Sequence, residues 1–267
     1  MTQSPYWQKQ SPDKPLFPDM LWSRPENRAN AGKLLIIGGN LHGFAAPAEA
    51  YQTSLRAGIG ISRVILPDAL KKMIGRAFEA GEYAPSTPSG SFSRQALNDL
   101  LEASEWADGV LVAGDLGRNS ETAILLEGFA RKYIGPLILT KDAADYFTSS
   151  PRDAVDRDNT VFVVSFAQLQ KLATAVKFSQ AFTFNMDLLR FVESLHDFTS
   201  TFHTNIIVKH LDTIFVASRG SVTTTKLLED HDIWRVNAAA YGAVWWLQNP
   251  TRQLAALSCA VYEFTKH

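Results

Sequence analysis

Short apolar runs at 33–37, 63–66, 109–113, 136–140, 160–164, 205–208 and 213–217 punctuate this chain, most separated by stretches with apolar residues at helical spacing. That alternation constrains the fold strongly. A strand followed by a helix and another strand closes as a crossover unit, so its repetition predicts a largely parallel, layered sheet. The first run, Leu34 to Ile37, is followed by Gly38 and Gly39, as expected of a buried strand ending in a permissive turn. The helical segments expected between the runs are 47–57, 68–80, 93–103, 121–133 and 167–175. The last two runs meet around 210–212, too close for a helical crossover, and are expected to form a hairpin. Two final helices are expected at 236–246 and 252–263.

Two domain-level expectations follow: residues 1–31, rich in Pro, Trp and charge, form an N-terminal extended arm that docks through its aromatics, and 32–267 form a single domain. The Pro-, Ser- and Gly-rich stretch 82–93 is expected to be a surface loop near the ligand edge. With 46% hydrophobic residues, 20% charged residues and a formal net charge of -1, the chain is neither a disordered segment nor a basic nucleic-acid binder. A small-molecule partner is expected, with no nucleic acid and no membrane. No apolar run reaches the length of a membrane span, and the opening residues lack the pattern of a secretory leader, so the expected localisation is cytoplasmic. The only cysteine, Cys259, lies among Ala255, Leu257 and Val261 and reads as a buried structural thiol.

In open parallel sheets, ligands gather beyond the carboxyl ends of the strands, where loops and helix N-termini present N–H groups to anions. The candidate residues are accordingly those that follow the runs. The first group is IIGGN at 36–40, then Ala45-Ala46-Pro47 opening a helix, and SLRAGIG at 54–60. Further candidates are ADGVLVAGDLGR at 107–118, LILTKDAA at 137–144, VVSFAQLQKL at 163–172 and IVKHLDTI at 207–214. The last is WRVNAAAYG at 234–242.

Taken in order, these segments resemble the motifs of the ATP/ADP-dependent NAD(P)H-hydrate dehydratase family, and the chain reads as a divergent member. The family pattern has glycine where Asp115 stands, and an aspartate where Thr140 stands, while Asp142 keeps its place. Ser165 and Gln168 replace a histidine and a glutamate. The family's Gly-x-Gly-Asp before the final helices is lost, with Asn237 at or within a residue of that aspartate. An asparagine can hold a hydrogen bond but cannot take up a proton as a carboxylate does.

The resemblance implies a ribokinase-like layered α/β/α sandwich with a mostly parallel central sheet. It implies an enzyme of the lyase class acting in metabolite repair, in which ATP or ADP, with Mg2+ as an optional companion, drives dehydration of hydrated NADH or NADPH. Weakened or lost activity follows from the altered motif. The alternatives are a noncatalytic nucleotide- or dinucleotide-binding protein and a small-alcohol kinase of the same fold. Transferred position by position, the resemblance gives Asn237, as a degenerate position, and Asp142 the catalytic places. It gives substrate binding to Gly39, Asn40, Ala46, Gly117 and Ser165, and the driving nucleotide to Lys209, Thr213 and Val236. No metal ligand is assigned, and homo-oligomers are expected. His231 and Asp232 read as a polar helix entry rather than an acid–base pair, and Trp245 and Trp246 as core or subunit contacts.

Overall fold

The structure is a computed structural model and describes residues 4–11, 13–75, 78–227 and 233–266. Its strands are β1 (Trp7–Gln10), β2 (Lys33–Gly38), β3 (Ile61–Pro67), β4 (Gly81–Ala84), β5 (Gly109–Gly114), β6 (Leu137–Thr140), β7 (Thr160–Ser165), β8 (Asn205–His210), β9 (Thr213–Ser218) and β10 (Ser221–Lys226). Its α-helices are α1 (Pro18–Trp22), α2 (Ala45–Arg56), α3 (Lys71–Ile74), α4 (Leu97–Trp106), α5 (Ser120–Lys132), α6 (Asp142–Tyr146), α7 (Arg152–Val155), α8 (Phe166–Ala175), α9 (Leu188–Thr201), α10 (Trp234–Gln248) and α11 (Gln253–Phe264).

All ten strands join one sheet in the order β1-β10-β9-β8-β7-β6-β5-β2-β3-β4. From β8 to β4 every neighbouring pair is parallel, whereas β8, β9 and β10 form antiparallel hairpins and β1 lies parallel to β10. The chain first winds outward from β2 through β3 to β4, then returns to the other side of β2 with β5 and winds outward again. The reversal between β2 and β5 is a topological switch point, where the two strand ends open a crevice.

Strand alternation places the core on both faces of the sheet. Leu35, Ile37, Val110, Val112, Phe162 and Val164 face a cluster containing Leu125 and Phe129 of α5 and Leu195 and Phe198 of α9. Leu34, Ile36, Leu111 and Val163 face the opposite way, toward Ala50 of α2, Trp245 of α10 and Leu257 of α11. Burial on both sides explains why these strands read as continuous apolar runs. The architecture is therefore the α/β sandwich expected, with a mostly parallel sheet.

The first 31 residues contribute β1, whose Trp7 Nε1 donates to Thr224 Oγ1 at 3.1 Å, and Arg24, whose guanidinium pairs with Glu263 at 3.0 Å and stacks 4.8 Å over Trp245. Cys259 is fully buried, and that burial pushes its thiol up to about 12. Trp245 and Trp246 fill the core rather than a ligand surface.

Two expectations need correction, and one helix lies where none was expected. The helix expected over 68–80 is a short 3-10 turn followed by one turn of α3, ended by Gly75 at φ +55°. The stretch 82–93 is not merely a surface loop: its first residues belong to β4, and Phe92 is fully buried, with Ser91 and Ser93 nearly so. The helix α9 was not anticipated, although Phe191, Val192, Leu195 and Phe198 bury one face at helical spacing.

Candidate functional site

The switch-point crevice is floored by Gly38 and Gly114. Gly39 N–H donates to Gly114 O at 2.9 Å, and a Cβ on Gly38 would lie 2.6 Å from that same carbonyl, so the two strand ends meet too closely for a side chain. Above them stands Asp115, held at φ +57°, a backbone region that favours glycine. Its Oδ2 accepts the Ala46 N–H at 2.7 Å, in the first turn of α2, and its Oδ1 pairs with Lys141 Nζ at 2.6 Å. The Asp115 carbonyl accepts from the Asn40 side-chain amide. Asn40 Oδ1 in turn accepts the His42 N–H at 2.7 Å, which fixes the turn after β2.

Asp142 opens α6. Its Oδ2 accepts the N–H groups of Leu116 at 2.9 Å and Gly117 at 3.2 Å, while its Oδ1 is buried without a hydrogen-bond partner. Burial pushes its carboxyl above the usual range, helped by the nearby Asp115 charge and opposed by the two backbone N–H bonds and Lys141. The Tyr146 hydroxyl donates to the Gly117 carbonyl and accepts the Asn119 N–H at 3.1 Å, locking the loop that leads into α5. Burial raises this phenol as well.

A second polar hub is built on Gln168. Its Nε2 donates to Lys141 O at 2.7 Å and to Asp145 Oδ2 at 2.8 Å, and its Oε1 accepts from Arg235 Nη1 at 2.9 Å. Gln168 and Ser165 also form a reciprocal capping box at the start of α8, with Gln168 N–H donating to Ser165 Oγ at 3.2 Å and Ser165 N–H to Gln168 Oε1 at 3.1 Å. Burial lowers the Arg235 guanidinium from its ordinary value, while Asp145 and Asp142 favour its charge. Beside this hub lies a cleft of about 670 Å³ lined by Gly117, Arg118, Asn119, Asp142, Tyr146 and Lys171. Asp145 lines it as well and pairs with Lys171 at 3.8 Å, so the cleft sets two cationic side chains against two carboxyls, that of Asp142 with a raised pKa, beside the start of α5.

Of the residues singled out in the sequence, Gly39, Asn40, Ala46, Gly117 and Asp142 therefore meet around Asp115 and the switch point. The Ala46 N–H is already engaged by Asp115, and the Ser165 hydroxyl is engaged in the helix cap. Lys209 is half-buried in β8 and pairs in register with Ser165 of β7. The Thr213 hydroxyl, across the hairpin, donates to Asp212 Oδ1 at 3.1 Å. Asn237 and Val236 do not join this group through any contact described. Asn237 Oδ1 accepts from Thr53 Oγ1 at 3.0 Å, across the seam between α10 and α2, and Val236 is buried in the core. His231 and Asp232 lie outside the described residues. Lys141 and Arg235 lie within the candidate segments 137–144 and 234–242 but were given no role there, and Asp145 and Tyr146 fall just beyond the first of them; the places of all four depend on distant partners.

Among the described residues, no group of three or more His, Cys, Asp or Glu side chains could hold a metal ion. No helix among the described residues is long and apolar enough to cross a membrane.

No family model matches the chain. It is similar to the bifunctional NAD(P)H-hydrate repair enzyme of Methanothermobacter thermautotrophicus, 33% identical over 36% of this chain and 18% of that protein. It is also similar to the enzyme of the same name from Dictyoglomus turgidum, 22% identical over 75% of this chain and 38% of that protein. These matches span well under half the length of the relatives. Among solved structures, a ribokinase-like superfamily protein from Enterococcus faecalis superposes with a TM-score of 0.73 at 15% identity, covering 98% of this chain and 88% of that one. The ADP/ATP-dependent NAD(P)H-hydrate dehydratase of Bacillus subtilis, co-crystallised with ATP and Mg2+, superposes with a TM-score of 0.59 at 12% identity, covering 90% and 81%. These likenesses establish a ribokinase-like fold.

Proposed function

We propose that this chain, a divergent relative of the NAD(P)H-hydrate repair enzymes, binds a nucleotide or dinucleotide at the switch-point crevice and its adjoining cleft, with ATP- or ADP-dependent dehydration of hydrated NAD(P)H weakened or lost. The observation that carries this reading is the position of Asn237: its side-chain oxygen is bonded to Thr53 in a helix–helix seam. An asparagine amide takes up no proton as a carboxylate does, so this position supplies no general base toward a ligand hydroxyl.

The ligand end is better kept. The turn after β2, the loop 115–119 and Asp142 are tied into one polar frame, and the Bacillus subtilis enzyme of similar fold was crystallised with ATP and Mg2+. Magnesium would arrive on the nucleotide phosphates, to which it binds readily. Lys209 and Thr213 are the residues assigned to that nucleotide, an ammonium and a hydroxyl suited to phosphate or ribose. Homo-oligomerisation and a cytoplasmic setting belong to the same reading.

One observation favours retained chemistry. Asp142, with its raised pKa and a partnerless oxygen, could act as an acid–base group in place of the missing aspartate. A paired experiment separates the two cases: titration calorimetry with ADP, ATP and NADPH, and recovery of dihydronicotinamide absorbance from hydrated NADPH with ATP or ADP. Binding with turnover at least about a hundredfold below that of the Bacillus subtilis enzyme is the expected result, the size of a lost general base. Full turnover abolished by Asp142→Asn would favour the second case, and absence of any nucleotide binding would sink both.

A further inference from the structure

His210 closes β8 with only 5% of its surface exposed, and neither ring nitrogen has a hydrogen-bond partner among the described residues. A neutral imidazole brings one donor and one acceptor into the interior, so burying both unmet costs stability that a phenylalanine in the same place would keep. Three phenylalanines enclose the ring. Phe166, the first residue of α8, stacks on it with centroids 4.7 Å apart, Phe191 of α9 lies tilted at 5.2 Å, and Phe184 stands edge-on at 5.3 Å.

Two of these walls are fixed and the third is thin. Phe166 and Phe191 are buried in their helices, whereas Phe184 is 64% exposed and sits in the irregular segment between α8 and α9. Its described ring contacts are Phe166 and His210. Two residues earlier, Phe182 anchors the segment: its ring packs on Phe191 and Phe198, and its carbonyl accepts from Gln170 Nε2 at 2.7 Å. Phe184 is therefore a cover one ring thick, with His210 beneath it and water above.

The charged groups on the surrounding elements are occupied or face elsewhere. Lys209 precedes His210 in β8 and points to the opposite face of the sheet. Asp212 pairs with Lys226 at 3.2 Å, Lys171 of α8 with Asp145 at 3.8 Å, and Asp187 accepts the Arg190 N–H at 2.9 Å. Arg190 and Glu193 of α9 are exposed. The Met186 backbone favours the charged ring, but burial outweighs it and holds the imidazole below its ordinary value of 6.5.

We propose that His210 is an acid-sensitive latch: the neutral imidazole keeps Phe184 and the segment 183–187 closed over α8 and α9, and protonation releases them. The sign follows from burial. An open segment exposes the ring, which then takes up a proton at its ordinary value, so closure is complete above 6.5 and weakens as pH falls below it. Both charged N–H groups gain water in the open form, whereas the closed box offers them no acceptor. His210 pairs in register with Thr213, so the latch stands on the hairpin assigned to the driving nucleotide, although its opening does not depend on that assignment.

The test is hydrogen exchange of the full chain, read by mass spectrometry over 183–195 at about pH 8 and about pH 5 and corrected for the intrinsic rate at each. Wild type is compared with His210→Phe, which fills the box without a titrating group, and His210→Gln, which stays polar and uncharged. Circular dichroism establishes that each variant is folded, and His210→Gln carries the test if the phenylalanine variant is not. Exchange in wild type is expected to quicken at least about tenfold at the lower pH, the effect of a pKa displaced by one unit, and to stay level in both variants. The other histidines, His42, His196, His203, His231 and His267, remain in every form. Wild-type exchange that does not change with pH overturns the proposal. The same acceleration in the folded variants overturns it too, because another group would then be the sensor.

Discussion

Asp142 is an acid whose folded form is pushed toward protonation, mainly by burial. The sign of its effect on stability follows: its contribution is present below the ordinary aspartate value of 3.8 and is lost as pH rises through the raised value, because the folded state must then carry a poorly solvated charge. Replacing it with asparagine keeps an oxygen for the Leu116 and Gly117 N–H groups and removes that charge. The melting temperature of Asp142→Asn relative to wild type should therefore climb as pH increases from 3.8 toward neutrality, and a flat difference would contradict the burial argument. Asn237 makes a different prediction. Asn237→Ala should cost about 0.5–1.5 kcal/mol in chemical denaturation through loss of the Thr53 bond, and leave ADP and NADPH affinity unchanged. Asn237→Asp should not restore dehydration, because its side chain remains in the seam between α2 and α10.

Helix α8 begins with the reciprocal Ser165–Gln168 cap, so Ser165→Ala should lower stability by about 1 kcal/mol, measured by urea unfolding. Gln168→Ala should cost more, because the same side chain also joins α6 and α10 through Lys141, Asp145 and Arg235. At this scale the sequence was informative where burial was complete. The central strands β2, β5, β7 and β8 and the helices α2, α5, α10 and α11 were legible because a doubly covered strand leaves an unbroken apolar run and a covering helix an apolar face. Strands β1, β4 and β10 were not, since WQKQ, GEYA and SVTTTK are short or polar and become strands only through the sheet edges they join. The site divided similarly. The glycines and Asp142 were found because they follow strands, whereas Lys141, Tyr146 and Arg235 acquire their places from hydrogen bonds to residues between 26 and 67 positions away. The assignment of Asn237 to the catalytic place depended on a loop register that no local physics fixes; its side-chain oxygen accepts from Thr53.

Across the whole molecule, β1 covers the outer edge of β10, bound by Trp7 to Thr224 and by Gln10 to Thr225 at 3.0 Å and to the Ser258 carbonyl at 3.1 Å. Deleting residues 1–11 should expose a row of unpaired backbone groups on β10, lowering the melting temperature and promoting self-association visible by light scattering. A monomeric truncated chain of unchanged stability would contradict this view of the edge. The buried thiol of Cys259 serves as a reporter on the same question. Being the only cysteine, deeply buried and raised to about 12, it should ignore a thiol-specific dye while the chain is folded and react only in molecules that have opened. The rate of dye uptake thus becomes a clock for opening of the α10–α11 layer, and a second cysteine engineered on the surface can be labelled alone without first removing the native one.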